Sequence, residues 1–271
     1  MHKNEKDTQL QFEGYLNTPL LWKGKSLNGL TPFELPRLAS FAFNESLPNQ
    51  LRLGKRVERF VSAELKQHED VSILAENIQI QNNKITVGEL DCVLLQDKTP
   101  IHLEIVYKFY LYDANEGQTE LDHWMGPNRK DHLVKKLQKL TSHQLPLLHS
   151  THTKPVLEAY QLHPESIKQY VLFKAQLFLP YNNPNVTMQL LNADCISGFY
   201  LHFKDIDVFT DCKWYIPTKI NWLIIPHSQV SWLSFSECKE TLEGFMTKEI
   251  APLCWIKTPQ GVIKKCFVVW W

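Results

Sequence analysis

Two carboxylates stand in stretches where a buried strand should carry none. Asp91 lies within ELDCVLL and Glu104 within IHLEIVYKFYLY, and Lys108 follows Glu104 by four residues. Ionised carboxylates away from water need partners, and two side by side need a cation. Mg²⁺ (or Mn²⁺) meets that need, since it takes oxygen ligands and is commonly held by one or two carboxylates plus substrate phosphates. A lysine beside such an ion orients the attacking water or offsets charge on the phosphate in the transition state. The residue types therefore point to phosphoryl chemistry at Asp91, Glu104 and Lys108. The competing reading leaves the acids near strand ends in water, or in a purely structural ion pair.

For that chemistry the two runs must be neighbours. Both are rich in β-branched, Leu and aromatic residues, which predicts adjacent antiparallel strands across the polar turn Gln96 to Thr99. A four-residue loop pairs Leu95 with Pro100, and so Asp91 with Glu104, on one face together with Lys108. A five-residue loop pairs Cys92 with Glu104 and separates the acids. An earlier strand, Ile73 to Ile80, completes a three-stranded meander after a turn at Asn82-Asn83. It is preceded by the clearest helix, residues 50 to 67, with Leu53, Val57, Phe60, Val61 and Leu65 on one face. Glu58 falls at the edge of that stripe, within reach of a neighbouring sheet, and Glu64, nearer its middle, is a rival.

A second helix is expected from about Lys130 to Gln144, capped by Asn128 or a neighbour, with Leu133, Leu137 and Leu140 inward. Arg129, Lys130, Lys135, Lys136 and Lys139 make five basic residues in eleven, a set suited to phosphates or simply a solvated helix face. Residues 170 to 180 read as a strand ending at Pro180. The aromatic-rich region after Cys195 reads as several strands plus a helix around Ser236 to Glu249. Residues 1 to 10 read as a flexible tail, 14 to 36 as a Pro-broken wrap over the core, and 150 to 165 as loop.

The 271 residues carry 29 basic and 29 acidic side chains, so no global charge announces a polyanionic partner. The six cysteines include no CxxC pair, which argues against zinc and for reduced cytoplasmic thiols. No apolar run has signal-peptide or membrane-spanning length, so no membrane partner is expected. A single domain over residues 11 to 271 is expected, with a core at about 50 to 180 and a β-rich elaboration at about 181 to 271.

The order helix with Glu, strand with Asp, strand with Glu and Lys, then a second helix resembles the core of the PD-(D/E)xK (restriction-endonuclease-like) nuclease superfamily. In finer detail LGKRVERF (53–60), TVGELDCVL (86–94), HLEIVYKFYL (102–111) and WMGPNRKDHLVKKLQKLTSHQL (124–145) resemble a bacterial family, the domain of unknown function numbered 1853. LFLP (177–180) and KINWLIIP (219–226) match more weakly. The resemblance implies an α/β core with a mixed β-sheet flanked by helices, and a Mg²⁺-dependent nuclease acting on DNA in preference to RNA. Glu58 would be the helix acid, Asp91 the metal aspartate and Glu104 the acid of the third motif, all three around the metal. Asn128, Arg129, Lys135, Lys136 and Lys139, with His123, would position the strand. One position departs from the pattern: the lysine expected two residues after the acid is Val106. Lys108 takes its role, or Lys136 reaches in from the helix. Failing both, the chain is a non-catalytic nucleic-acid or protein-binding module that keeps the nuclease fold. The oligomeric state is left open.

Overall fold

Strand β3 (Thr99–Tyr112) is the axis of the molecule, and it is largely buried on both faces. Its apolar residues alternate between two cores, with Leu103, Tyr107, Phe109 and Leu111 in one and Val106 and Tyr110 in the other. A strand can be apolar on both sides only where both are covered, and this requirement organises the fold. The computed structural model describes residues 3–36, 41–48 and 50–271. Among them the chain forms an α/β protein with one mixed sheet of nine strands.

The meander comprises β1 (Val71–Asn82), β2 (Ile85–Gln96) and β3. A parallel neighbour, β5 (Lys168–Pro180), lies on the other side of β3, and β4 (Trp124–Met125) pairs with the end of β3. The sheet continues through β6 (Ile196–His202), β9 (Ile263–Val269), β8 (Leu253–Lys257) and β7 (Lys213–Tyr215). The region after residue 181 thus extends the same sheet. The β2–β3 register is the expected one, Leu95 opposite Pro100, but the turn is tighter. Gln96 and Thr99 also pair, leaving only Asp97 and Lys98 in the loop. Both have positive φ, 47° and 67°, the twist that a two-residue hairpin needs.

Helices α1 (Lys3–Asn17) and α2 (Leu53–Leu65) cover one face. Phe12 and Tyr15 meet Val57, Phe60, Val61 and Leu65 there, each burial contributing about 1.5–3 kcal/mol. Residues 3–10, expected as tail, are therefore the first part of α1. Lys, Glu, Gln and Leu favour helix locally and Phe12 and Tyr15 dock its far end, while residues 1 and 2 lie outside the described residues. Contact is closest at Gly14, where an added Cβ would stand 2.0 Å from the Leu223 carbonyl oxygen. Gly14→Ala should cost at least about 2 kcal/mol in urea denaturation, because backbone, not a flexible side chain, blocks the methyl. A loss under about 0.5 kcal/mol would show that α1 does not dock this tightly.

The opposite face is covered by the wrap, with Leu21, Trp22 and Leu30, and by α3 (Leu133–Lys139), with Leu133 and Leu137. Helix α3 starts three residues later than expected. The Asn128 side chain does not cap it but accepts from the Ala251 N–H at 2.9 Å, and Arg129 has φ 54°. It also ends early, widening into a π-turn over Leu140–Gln144. Residues 150 to 165, expected as loop, include α4 (Lys154–Ala159). Helix α5 (Phe235–Met246), capped by Ser234 and Glu237, packs on the far end of the sheet. Among the described residues no helix is long and apolar enough to cross a membrane.

Candidate active site

Strands β2 and β3 part company. Their ladder runs from Gln96–Thr99 to Cys92–Leu103 and stops. Beyond it β2 pairs only with β1, while β3 stays with β5 as far as Leu111. Asp91 is the first residue past the fork on β2, and its Oδ2 accepts the Ile105 N–H at 2.9 Å. A carboxylate thus replaces the next rung. Extending the register sets Asp91 opposite Glu104, as expected from the sequence. At the fork opens a cleft of about 830 Å³, walled by Val57 and Glu58 of α2, Ile105 to Phe109 of β3, and Asp131 and Lys136. Asp91 and Glu104 do not line it, whereas Ile105, which donates to Asp91, does.

Glu104 is fully buried, and each of its oxygens has a partner. Oε1 meets His102 Nε2 at 3.0 Å and Oε2 accepts from the Gln144 amide. The Gln169 amide bonds both the Leu145 carbonyl, at 2.6 Å, and His102 Nδ1, at 3.0 Å. In this arrangement Nδ1 accepts, so Nε2 carries the proton and donates to Glu104. On its other side Gln144 Oε1 accepts from Lys136 Nζ at 2.7 Å. One chain of hydrogen bonds therefore runs Gln169–His102–Glu104–Gln144–Lys136. The π-turn delivers Gln144 to this chain, a use in keeping with where such turns occur.

Electrostatics bind the group together. Burial, then the neighbouring Glu104, push the Asp91 carboxyl up to about 7, with Glu58 adding and the Ile105 N–H and Lys136 opposing. Burial lowers the Lys136 ammonium, and Lys108 adds to this, while Glu104 and Asp91 work to keep it charged. Burial also raises Glu58, against the pull of Lys55.

The remaining expected residues divide. Glu58 lines the cleft, but its carboxylate pairs with Lys55 at 2.8 Å, and Lys55 also holds Glu89 and Asn77. Glu64, the rival, is taken by the Tyr15 hydroxyl on the far side of α2. Lys108 lines the cleft and donates to Asp131. Asn128 lines it too, whereas Arg129 pairs with Asp113 and Glu116 outside it. His123 bonds the Glu116 carbonyl, and Lys135 and Lys139 are exposed on α3. His102, Gln144 and Gln169 were not anticipated. The i, i+2 spacing of His102 and Glu104 was the available signal for the first, and nothing local marked the other two.

Among the described residues no three His, Cys, Asp or Glu side chains gather closely enough to hold a metal by themselves. Asp91 and Glu104 offer two carboxylates, and hydrogen bonding to Ile105, His102 and Gln144 leaves lone pairs on each. Burial first and the neighbouring Glu104 second raise Asp91, and Lys136 offsets this only in part, so a cation placed between the acids would favour the charged form. That donor chemistry fits a hard divalent ion completed by water and phosphate oxygens.

No curated protein and no solved structure matches the chain. The chain belongs to the family described as domain of unknown function (DUF1853), whose model matches residues 30–269.

Proposed function

We propose that the protein is a Mg²⁺- or Mn²⁺-dependent phosphodiesterase of the PD-(D/E)xK type acting on nucleic acid, DNA before RNA. The observation that carries the reading is the meeting of Asp91, Glu104 and Lys136 at the strand fork, beside a cleft of suitable charge. Arg52, Lys108, Lys130, Lys136 and Lys219 line that cleft against only Glu58 and Asp131. The α2 N-terminus, which has no side-chain cap, opens onto it at Arg52 to Gly54. Excess cations and free N–H groups suit a phosphodiester backbone.

Asp91 and Glu104 would hold the ion, and Glu58, on the wall, would act through water. The ion, when bound, supplies a hydroxide-like water and charge for the phosphoryl oxygens. Lys136 fills the place left by Val106, with its ammonium supported by Gln144 and the two acids. Lys108, tied to Asp131, steadies the cleft wall and contacts substrate.

Calorimetric titration of Mn²⁺ and Mg²⁺ tests this directly. Wild type should bind, and the folded Asp91→Ala, Glu104→Ala double variant should not. Equal binding by both would remove the metal from the site.

A second reading has its own support. Glu104 is sealed by His102 and Gln144, Glu58 is neutralised by Lys55, and Lys108 by Asp131. A non-catalytic module that keeps the basic cleft would bind nucleic acid with strong salt dependence and without metal. Affinity that disappears on chelation would exclude it.

A further inference from the structure

A second pocket lies around Lys265 on β9, on the other side of residues 219 to 223 from the cleft. Its side chain is 6% exposed, and its Nζ meets Gln176 Oε1 at 2.8 Å and the Trp222 carbonyl at 2.7 Å. The direction of these bonds is fixed from the far end of a chain. The Gly14 carbonyl can only accept, so the Thr18 hydroxyl donates to it, at 2.8 Å. Tyr107 must then donate to Thr18, at 2.7 Å, and accept from the Gln176 amide, at 2.7 Å. This orients Gln176 with Oε1 toward Lys265, and an amide oxygen can only accept. Lys265 thus faces two acceptors and, among the described residues, has no carboxylate partner. An ammonium has three donors, so one would be stranded in the interior with the full charge. A neutral amine has two donors, both satisfied, and a lone pair left over. Burial acts in the same direction, pulling Lys265 down to about 7.

Lys265, Gln176, Thr18, Ser197 and Asp194 line a pocket of about 210 Å³ that shares no lining residue with the cleft, although residues 219 to 223 run between the two. Asp194 is its acidic group, exposed and 3.5 Å from Lys23. Lys174, two residues before Gln176, bonds the Tyr15 carbonyl and lies over the Tyr15 ring. A pocket of this size takes a small molecule, and the one acid in its lining already lies beside Lys23, so no net charge there favours an ionic ligand.

We infer that Lys265 is a nucleophilic amine that captures a small neutral aldehyde as a reversible imine. The nitrogen lone pair adds to the carbonyl carbon, and the π pair moves to oxygen. Both amine protons leave with that oxygen as one water, and a C=N bond remains. The Gln176 and Trp222 oxygens, which hold those protons beforehand, orient the lone pair for attack.

The test uses the whole wild-type chain, propionaldehyde and cyanoborohydride, whose hydride reduces the imine to a stable secondary amine. Peptide mass spectrometry then compares Lys265 with its exposed neighbour Lys264 over time. An ordinary lysine is neutral in only about one molecule in a thousand at neutral pH. Lys265 should therefore label at least about tenfold faster than Lys264 there, and the gap should close at alkaline pH. Labelling of Lys265 no faster than Lys264, or only in urea, would overturn the inference. Lys265→Met should abolish the fast labelling; if that variant does not fold, the wild-type comparison decides alone.

Discussion

Asp91→Asn is expected to stabilise the protein at pH 8 while abolishing its binding of divalent metal. The Asp91 carboxyl is raised to about 7 by burial and by Glu104, against about 3.9 in an unfolded chain. Between those values the folded protein keeps a proton that the unfolded chain has released. Stability therefore falls as pH rises from about 4 through 7, and the whole penalty, on the order of 3–4 kcal/mol, is in force above. Asparagine keeps an oxygen for the Ile105 N–H and carries no charge. The variant should gain on the order of 3 kcal/mol at pH 8 and nothing near pH 4, measured by urea denaturation. Metal reverses the sign for wild type alone, since a bound cation displaces the proton. Mn²⁺ should raise wild-type stability more at pH 8 than at pH 6 and leave the variant unmoved. A wild type equally stable at pH 5 and pH 8, or a variant weaker than wild type at pH 8, would show that Asp91 serves structure.

What could be read from the residues follows from how local its cause is. The β2–β3 register was legible because alternation and a short turn determine it, and only the loop was drawn too long, since Asp97 and Lys98 accept left-handed backbone. The buried stripe of α2 was legible from its period, yet which glutamate stays near the cleft was not. Tyr15, forty-nine residues earlier, takes Glu64, while Lys55, one turn away, takes Glu58. The start of α3 was misplaced because Asn128 spends its side chain on Ala251, a partner far along the chain. Gln144 was invisible for a similar reason: a π-turn, not a regular helical pitch, brings it over Glu104. Lys265 could have been suspected, since adjacent lysines on an apolar strand cannot both face solvent.

Lys136→Met and Lys108→Met should separate sharply, although the residues share a cleft wall. Lys108 gives its ammonium to Asp131, an ionised partner that a phosphate would have to displace. Among the described residues Lys136 bonds the neutral Gln144 oxygen, and Glu104 and Asp91 oppose the burial that lowers its ammonium. Its ammonium therefore stands beside the two acids, with no carboxylate bonded to it among the described residues, where negative charge would grow on a phosphate. Removing such a group costs about 10²–10³ in turnover when it acts on the transition state. Lys136→Met should lose that much Mn²⁺-dependent cleavage of a phosphodiester substrate, and Lys108→Met less than about tenfold. Metal affinity should move the other way, because without Lys136 the two carboxylates have less positive charge to share. Calorimetry should find Mn²⁺ binding to Lys136→Met as tight as, or tighter than, to wild type. Weaker metal binding by Lys136→Met, or a greater loss of cleavage from Lys108→Met, would return the missing motif lysine to the strand. The opposed signs matter because misfolding would lower cleavage and metal affinity together, whereas a lysine that works on substrate lowers only the first.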